Sequence, residues 1–163
     1  KLHIAGTVAE SIVDGPGIRY ALFVQGCPHH CPGCHNPQTH PFEGGRTVDT
    51  AEIFAEFCRD PILKGITFSG GEPFCQPAPL AELAGQVHAR GKDVVVFTGY
   101  TYEQLAAMDS PAVQALLAET DLLIDGPFIE EQKNLELAFR GSENQRVIDM
   151  RKTRESGRLV LRA

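Results

Sequence analysis

No run of apolar residues in the sequence approaches the roughly 20 needed to cross a bilayer as a helix, so no membrane-spanning helix is expected. Basic charge is also short. Lys+Arg number 15 against 21 Asp+Glu, a formal net charge of −6. A nucleic-acid binder normally carries a basic surface, so nucleic acid is not expected as the main partner. A secretory leader is lacking too: Lys1 is followed by mixed polar residues rather than an apolar stretch, which makes the cytoplasm the expected location. Linkers, repeats and low-complexity segments are absent. With 42% hydrophobic and 22% charged residues, residues 1–163 read as one domain. That length supports a core but is short for a closed eight-unit barrel.

Five cysteines are present, at positions 27, 31, 34, 58 and 75. The number is odd and three crowd into eight residues, a pattern that suits metal ligation better than a disulfide framework.

Arg19-Tyr20-Ala21-Leu22-Phe23-Val24 reads as a buried strand running directly into the cysteine loop. Asp49 and Glu52 open a helix whose apolar face is Ile53, Phe54, Phe57 and Cys58. Ile66-Thr67-Phe68-Ser69 is a second strand and ends at Gly70-Gly71-Glu72-Pro73. Leu80, Leu83, Ala84 and Val87 mark the next helix, with Gly91 as its stop. Val94-Val95-Val96-Phe97 ends at Thr98-Gly99, and Leu122-Leu123-Ile124 ends at Asp125-Gly126. Two short helices lie between them, opened by Thr101 and by Ser110-Pro111. Arg146-Val147-Ile148 and Arg158-Leu159-Val160-Leu161 are further strand candidates. Continuous apolar strands alternating with helices predict a parallel sheet buried on both faces. In such a sheet the strand exits share one edge, where ligands bind.

The cysteine segment runs from Cys27 to Pro37 and carries Cys27-x3-Cys31-x2-Cys34, with three prolines and a glycine that forbid a regular helix. On spacing alone two chemistries stay open. Zinc needs a fourth ligand, for which His29, His30, His35 and His40 are candidates. An iron–sulfur cluster held by three thiolates leaves one iron open to a small molecule. Gly70-Gly71-Glu72 after a strand can let a ligand approach, present N–H groups to a carboxylate and accept from an ammonium; alone it reads as a plain turn before a helix, broken by Pro73. Cys58 reads as a small core residue, and Cys75 lacks a neighbouring ligand in sequence. The terminal stretch from Met150 holds Arg151, Lys152, Arg154, Arg158 and Arg162 against Glu155, a solvated face or a dock for an acidic surface.

Taken together, Asp14-Gly15-Pro16-Gly17-Ile18-Arg19, the cysteine triplet and Gly70-Gly71-Glu72-Pro73 resemble the radical S-adenosylmethionine enzymes, and the first motif narrows this to the branch that activates glycyl-radical enzymes. Arg140-Gly141-Ser142-x-Asn144-Gln145-Arg146 and Asp125-Gly126-x-Phe128 resemble the subfamily serving anaerobic ribonucleoside-triphosphate reductases. The resemblance covers about residues 12 to 149. It implies an incomplete (β/α) barrel with four to six mainly parallel strands. It implies a [4Fe–4S] cluster on Cys27, Cys31 and Cys34, its fourth iron taking the amino nitrogen and carboxylate of S-adenosyl-L-methionine. Gly70, Gly71 and Glu72 would hold the methionyl end; Gly33 and His35 would lie against the nucleoside; Thr98, Asp125 and Gly126 would line the rim opposite. His35 stands where the subfamily commonly has an aromatic after the third cysteine, and Gly33 precedes that cysteine as is common there. The implied activity is reductive cleavage of S-adenosylmethionine to a 5′-deoxyadenosyl radical, which takes hydrogen from a glycine of the reductase. A reduced flavodoxin-like protein is the implied electron donor. The Asp14–Arg19 segment and the basic terminal stretch are candidate contacts to the reductase. Three alternatives remain at this level: an activase of formate-lyase type, a deazaguanine-forming ring-contraction enzyme, and a zinc-stabilised module without catalysis.

Overall fold

The computed structural model describes residues 1–29, 41–127, 129–132, 140, 142 and 144–162. Its centre is four parallel strands: β2 (Arg19–Val24), β4 (Gly65–Gly70), β5 (Asp93–Phe97) and β6 (Leu122–Asp125). Each is a run of buried residues, as the continuous apolar pattern predicted. Antiparallel strands flank them. β1 (Leu2–Ser11) pairs with β2, β3 (Arg46–Val48) pairs with β1, and β7 (Arg146–Asp149) pairs with β6. The order β3-β1-β2-β4-β5-β6-β7 makes one open sheet of seven strands, one more than the four to six expected. The expected strand at Arg158–Leu161 reduces to a single bridge between Ile148 and Leu161.

Side chains alternate between the two faces of the sheet. Tyr20, Leu22, Val24, Ile66, Phe68, Val94, Val96 and Leu123 join one core with the helices α1 (Thr50–Cys58), α2 (Pro77–Ala89), α3 (Tyr102–Ala106) and α4 (Pro111–Ala118). Ile53 and Phe57, Leu80, Leu83, Ala84 and Val87, and Leu116 are the helical side of it, so the helical periodicity faces inward as expected. The other face carries a smaller cluster of Val95, Leu122 and Ile124, together with the buried Ala21, Thr67 and Ser69. The helices start on the predicted caps. Asp49 accepts from Ala51 N–H, Thr101 forms a full capping box with Gln104, and Ser110 accepts from Val113 N–H. Gly91, with φ of 74°, follows α2, and α5 (Met150–Ser156) is capped by Asp149.

At the strand starts, Arg19 is fully buried. Its guanidinium pairs with Asp93 at 2.6 Å and donates to Thr67 Oγ1, Pro16 O and Ile66 O. A Cβ on Gly65 would lie 2.1 Å from Asp93 Oδ1 and 2.6 Å from the Arg19 guanidinium, so the pair needs glycine there. Thr67 Oγ1 donates to Asp14 O, which folds the Asp14–Arg19 segment under the sheet. That segment therefore sits at the opposite end of the strands from the cysteine loop, and Arg19 anchors β2 to β4 and β5. The basic terminal stretch is also partly committed within the chain: the exposed Arg151 pairs with Asp121 at 2.7 Å, and Arg154 donates to Leu117 O and Thr120 O.

Removing Asp93 leaves the Arg19 charge buried without its partner. Asp93→Ala is expected to cost about 3 kcal/mol in urea unfolding, the scale for breaking a buried pair. A second test concerns His88 on α2, whose Nδ1 meets Glu119 at 2.6 Å and whose Nε2 meets Asp121 at 2.7 Å. Burial disfavours the imidazolium, but the hydrogen bonds to Asp121 and Glu119 outweigh it and hold the pKa above its ordinary value. A raised folded pKa gives stability that is complete below about pH 6.5, the unfolded value, and is lost as pH rises through the folded value. Urea melts across that window should show this loss in the native chain and its absence in His88→Gln.

Candidate functional site

The exits of β2, β4, β5 and β6 meet at one rim. Gln25, Gly26 and Cys27 leave β2, and Cys27 is buried. The other two cysteines of the triplet, Cys31 and Cys34, lie outside the described residues, as do Gly33 and His35. What is described is how the loop is held at its two ends. Gln25 Nε2 donates to Pro41 O at 2.6 Å and to Glu43 O at 3.2 Å. Gln76 Nε2 donates to His3 O and to Gln25 O, and Gln76 Oε1 accepts from His3 N–H. His3 Nε2 also meets Gly44 O. Two glutamines thus tie both ends of the cysteine loop to β1 and to the turn after β4. Nothing in the sequence pattern marked them, because an amide side chain acquires this role only from what surrounds it.

Gly70-Gly71-Glu72 is stitched onto the β2 exit. Gly71 N–H donates to Val24 O and Glu72 N–H to Gly26 O, both at 2.8 Å. A Cβ on Gly71 would lie 2.3 Å from Gly26 O, and one on Gly70 would lie 2.8 Å from the β2 backbone. The glycines serve close approach of two strand exits. For their expected second use, offering N–H groups to a ligand carboxylate, Gly71 has none to spare, because its N–H is already bonded to Val24 O.

Glu72 is fully buried and caps the short 3-10 turn Pro73–Cys75 by accepting from Phe74 N–H. Thr98 Oγ1 lies 2.9 Å and 2.8 Å from its two oxygens, and Gly99 N–H donates to Oε1 at 2.8 Å. His29 Nε2 reaches the same Oε1 at 2.6 Å. The His29 ring meets Tyr100 edge-on at 4.6 Å between centroids. His29 is thereby bonded to Glu72 through Nε2. Glu72 and Thr98, both predicted for the site, are brought together, and His29 and Tyr100 join them. Cys75 is an exposed residue, yet its sulfur meets Tyr100. Burial first and the charge of Glu72 second push its thiol up to about 11, so it keeps its proton near neutral pH. Cys58 is half-buried against the core, the bland role expected of it.

Asp125 and Gly126, the other predicted rim residues, form a separate structure. Asp125 is buried and accepts from Arg146 Nε at 3.0 Å and from Tyr102 N–H at 2.7 Å; Arg146 also reaches Glu103 on α3 at 2.6 Å. Gln145 Nε2 donates to Gly126 O, and Asn144 Nδ2 donates to Pro127 O. Arg140 donates to Gln145 O, and Ser142 N–H to Gln145 Oε1. The Arg140–Arg146 motif is therefore a clasp on the turn that leaves β6. Gly126 N–H donates to Tyr100 O at 2.8 Å, which links the clasp to the Glu72 side of the rim.

These residues fit the cofactors implied by the motifs. Cys27 is a soft ligand beside the rim, and the buried Glu72 carboxylate is a fixed acceptor suited to an ammonium group. A family model described as "4Fe-4S single cluster domain" matches residues 13–148. An anaerobic ribonucleoside-triphosphate reductase-activating protein of Salmonella typhi is 38% identical over 148 residues, covering 86% of this chain and 94% of that protein. The protein of the same name from Vibrio cholerae is 40% identical, covering 82% and 89%. That of enterobacteria phage T4 is 34% identical, covering 83% and 86%. The crystal structure of QueE from Escherichia coli aligns at 17% identity and a TM-score of 0.48, over 61% of this chain and 53% of that one. By the extent of the family-model match and of the matches to the reductase-activating proteins, the chain belongs to the 4Fe-4S single-cluster domain family and, within it, to the anaerobic ribonucleoside-triphosphate reductase-activating proteins.

Proposed function

We propose that this chain activates an anaerobic ribonucleoside-triphosphate reductase by removing a hydrogen atom from a glycine of that enzyme, using a [4Fe–4S] cluster and S-adenosylmethionine. The observation that carries the reading is the convergence of Cys27, Glu72 and Thr98 on one rim of a sheet in a chain of this family. Cys27, Cys31 and Cys34 hold the cluster in this proposal. When bound, cluster and cofactor supply a one-electron reductive cleavage of the sulfonium, and its product takes the glycine hydrogen.

The protein's own part is binding and positioning. Glu72 would accept an N–H of the S-adenosylmethionine amino group with its carboxylate already desolvated, which strengthens the contact. Gly70 and Gly71 allow the β2 and β4 exits to approach closely, so the cluster loop and the methionyl site share one frame. Thr98 orients Glu72. In this proposal Gly33 and His35 would serve the nucleoside. Asp125 and Gly126 line the opposite rim, shaped by Arg146. A reduced flavodoxin-like protein supplies the electron, in the cytoplasm. No described helix is long and apolar enough to cross a membrane.

The direct test is anaerobic. The chain is reconstituted with iron and sulfide, then given dithionite and S-adenosylmethionine. 5′-Deoxyadenosine is expected from the native chain and not from Cys31→Ala; with the reductase added, a glycyl radical signal is expected by EPR. Zinc bound with no cluster formed would overturn the reading in favour of a structural metal module. A second test addresses the frame. Gly71→Ala is expected to cost about 1–3 kcal/mol in urea unfolding, as overpacking does, and to lower iron uptake; unchanged values in both would refute the close-approach role.

A further inference from the structure

Glu72 is fully buried, and its two oxygens receive contacts from His29 Nε2, Thr98 Oγ1, Gly99 N–H and Phe74 N–H, with Thr98 reaching both oxygens. A carboxylate offers about four lone-pair sites, so this set is full. An ammonium can join only if a donor leaves. Gly99 and Phe74 donate from backbone, held by the β5 exit and by the turn that Glu72 itself caps. Thr98 Oγ1 is fixed in turn by accepting from Tyr100 N–H. His29 is different. It is a side chain at the start of the cysteine loop, 16% exposed, and rotation of its own side chain carries it off Glu72. It rests on bare backbone: a Cβ on Gly99 would lie 2.4 Å from its Cδ2.

We propose that His29 is a positioning residue that holds Glu72 by its ring N–H and yields that place to an N–H of the incoming amino group of an α-amino acid ligand. Binding then exchanges one N–H donor for another on Glu72 Oε1, with no bond made or broken. The exchange leaves the buried carboxylate partnered throughout, and it turns the His29 side chain as the ligand seats. Because His29 lies between Cys27 and Cys31, ligand seating is coupled to the start of the cluster loop. This inference rests on the assignment of the ligand ammonium to Glu72.

The test measures affinity of the reconstituted protein for S-adenosylmethionine and for 5′-methylthioadenosine, which keeps the nucleoside and lacks the ammonium. His29→Ala removes the competing donor and is expected to bind S-adenosylmethionine about tenfold tighter, the scale of one charge-assisted hydrogen bond, with 5′-methylthioadenosine unchanged. Equal or weaker binding of S-adenosylmethionine by His29→Ala at full iron content overturns the exchange. Glu72→Gln separates the underlying assignment: if it leaves S-adenosylmethionine affinity unchanged, the ammonium is not on Glu72 and both ideas fall. Should His29→Ala take up no iron, the native chain decides the matter by the NMR signal of the His29 ring N–H. That signal is expected to shift with S-adenosylmethionine and to stay put with 5′-methylthioadenosine; no shift with either overturns the exchange.

Discussion

A carboxylate cut off from solvent must be surrounded by donors, and the rim of this protein is organised by that requirement at Glu72. Its partners come from the cysteine loop, from the β5 exit and from its own turn. Satisfying one buried charge thus fixes three strand exits relative to one another. The Gly71 and Glu72 N–H groups bind the β2 exit at the same time, so the segment carrying Cys27 cannot drift from the carboxylate. The closeness is possible only because Gly70 and Gly71 carry no Cβ.

The opposite end of the sheet meets the same problem with the opposite sign. Arg19 is a buried cation, satisfied by Asp93, Thr67 and backbone carbonyls. It gathers the starts of β2, β4 and β5, as Glu72 gathers exits. The Glu72 motif sits at the strand exits, and the Asp14–Arg19 motif, a candidate contact to the reductase by resemblance, closes the strand starts. Breaking either leaves an uncompensated charge in a region with little water, so both are sensitive to single substitutions.

The β6 side adds a third construction. Arg146 holds Asp125 and Glu103, while Asn144 and Gln145 hold the turn that follows Asp125. The motif that singles out the subfamily is in this respect a brace for the rim. Through Gly126 and Tyr100 it reaches the ring that packs on His29, so the clasp and the carboxylate cradle are neighbours in one connected network.

The sequence by itself determined the parallel centre of the sheet, because β2, β4, β5 and β6 are buried on both faces and read as unbroken apolar runs. It determined the helix starts, since Asp49, Thr101 and Ser110 act on backbone groups within a few residues. It also determined which strand exits carry cysteine, paired glycine and acidic residues, since these stand there in fixed spacing. Only the tertiary structure decided the flanks. β1 buries few of its residues and has two register shifts, and β3 is three residues that extend because Leu2–Ile4 lie alongside. It alone decided that Arg158–Leu161 would make one bridge, that the exposed Arg151 and Arg154 would bond to Asp121, Leu117 and Thr120, and that Gln25, Gln76 and His29 would hold the ends of the cysteine loop. Local patterns report the forces a residue meets from its chain neighbours and from burial. A polar side chain's partner is set by whatever the fold brings beside it, in contacts as far apart as the 73 residues between His3 and Gln76.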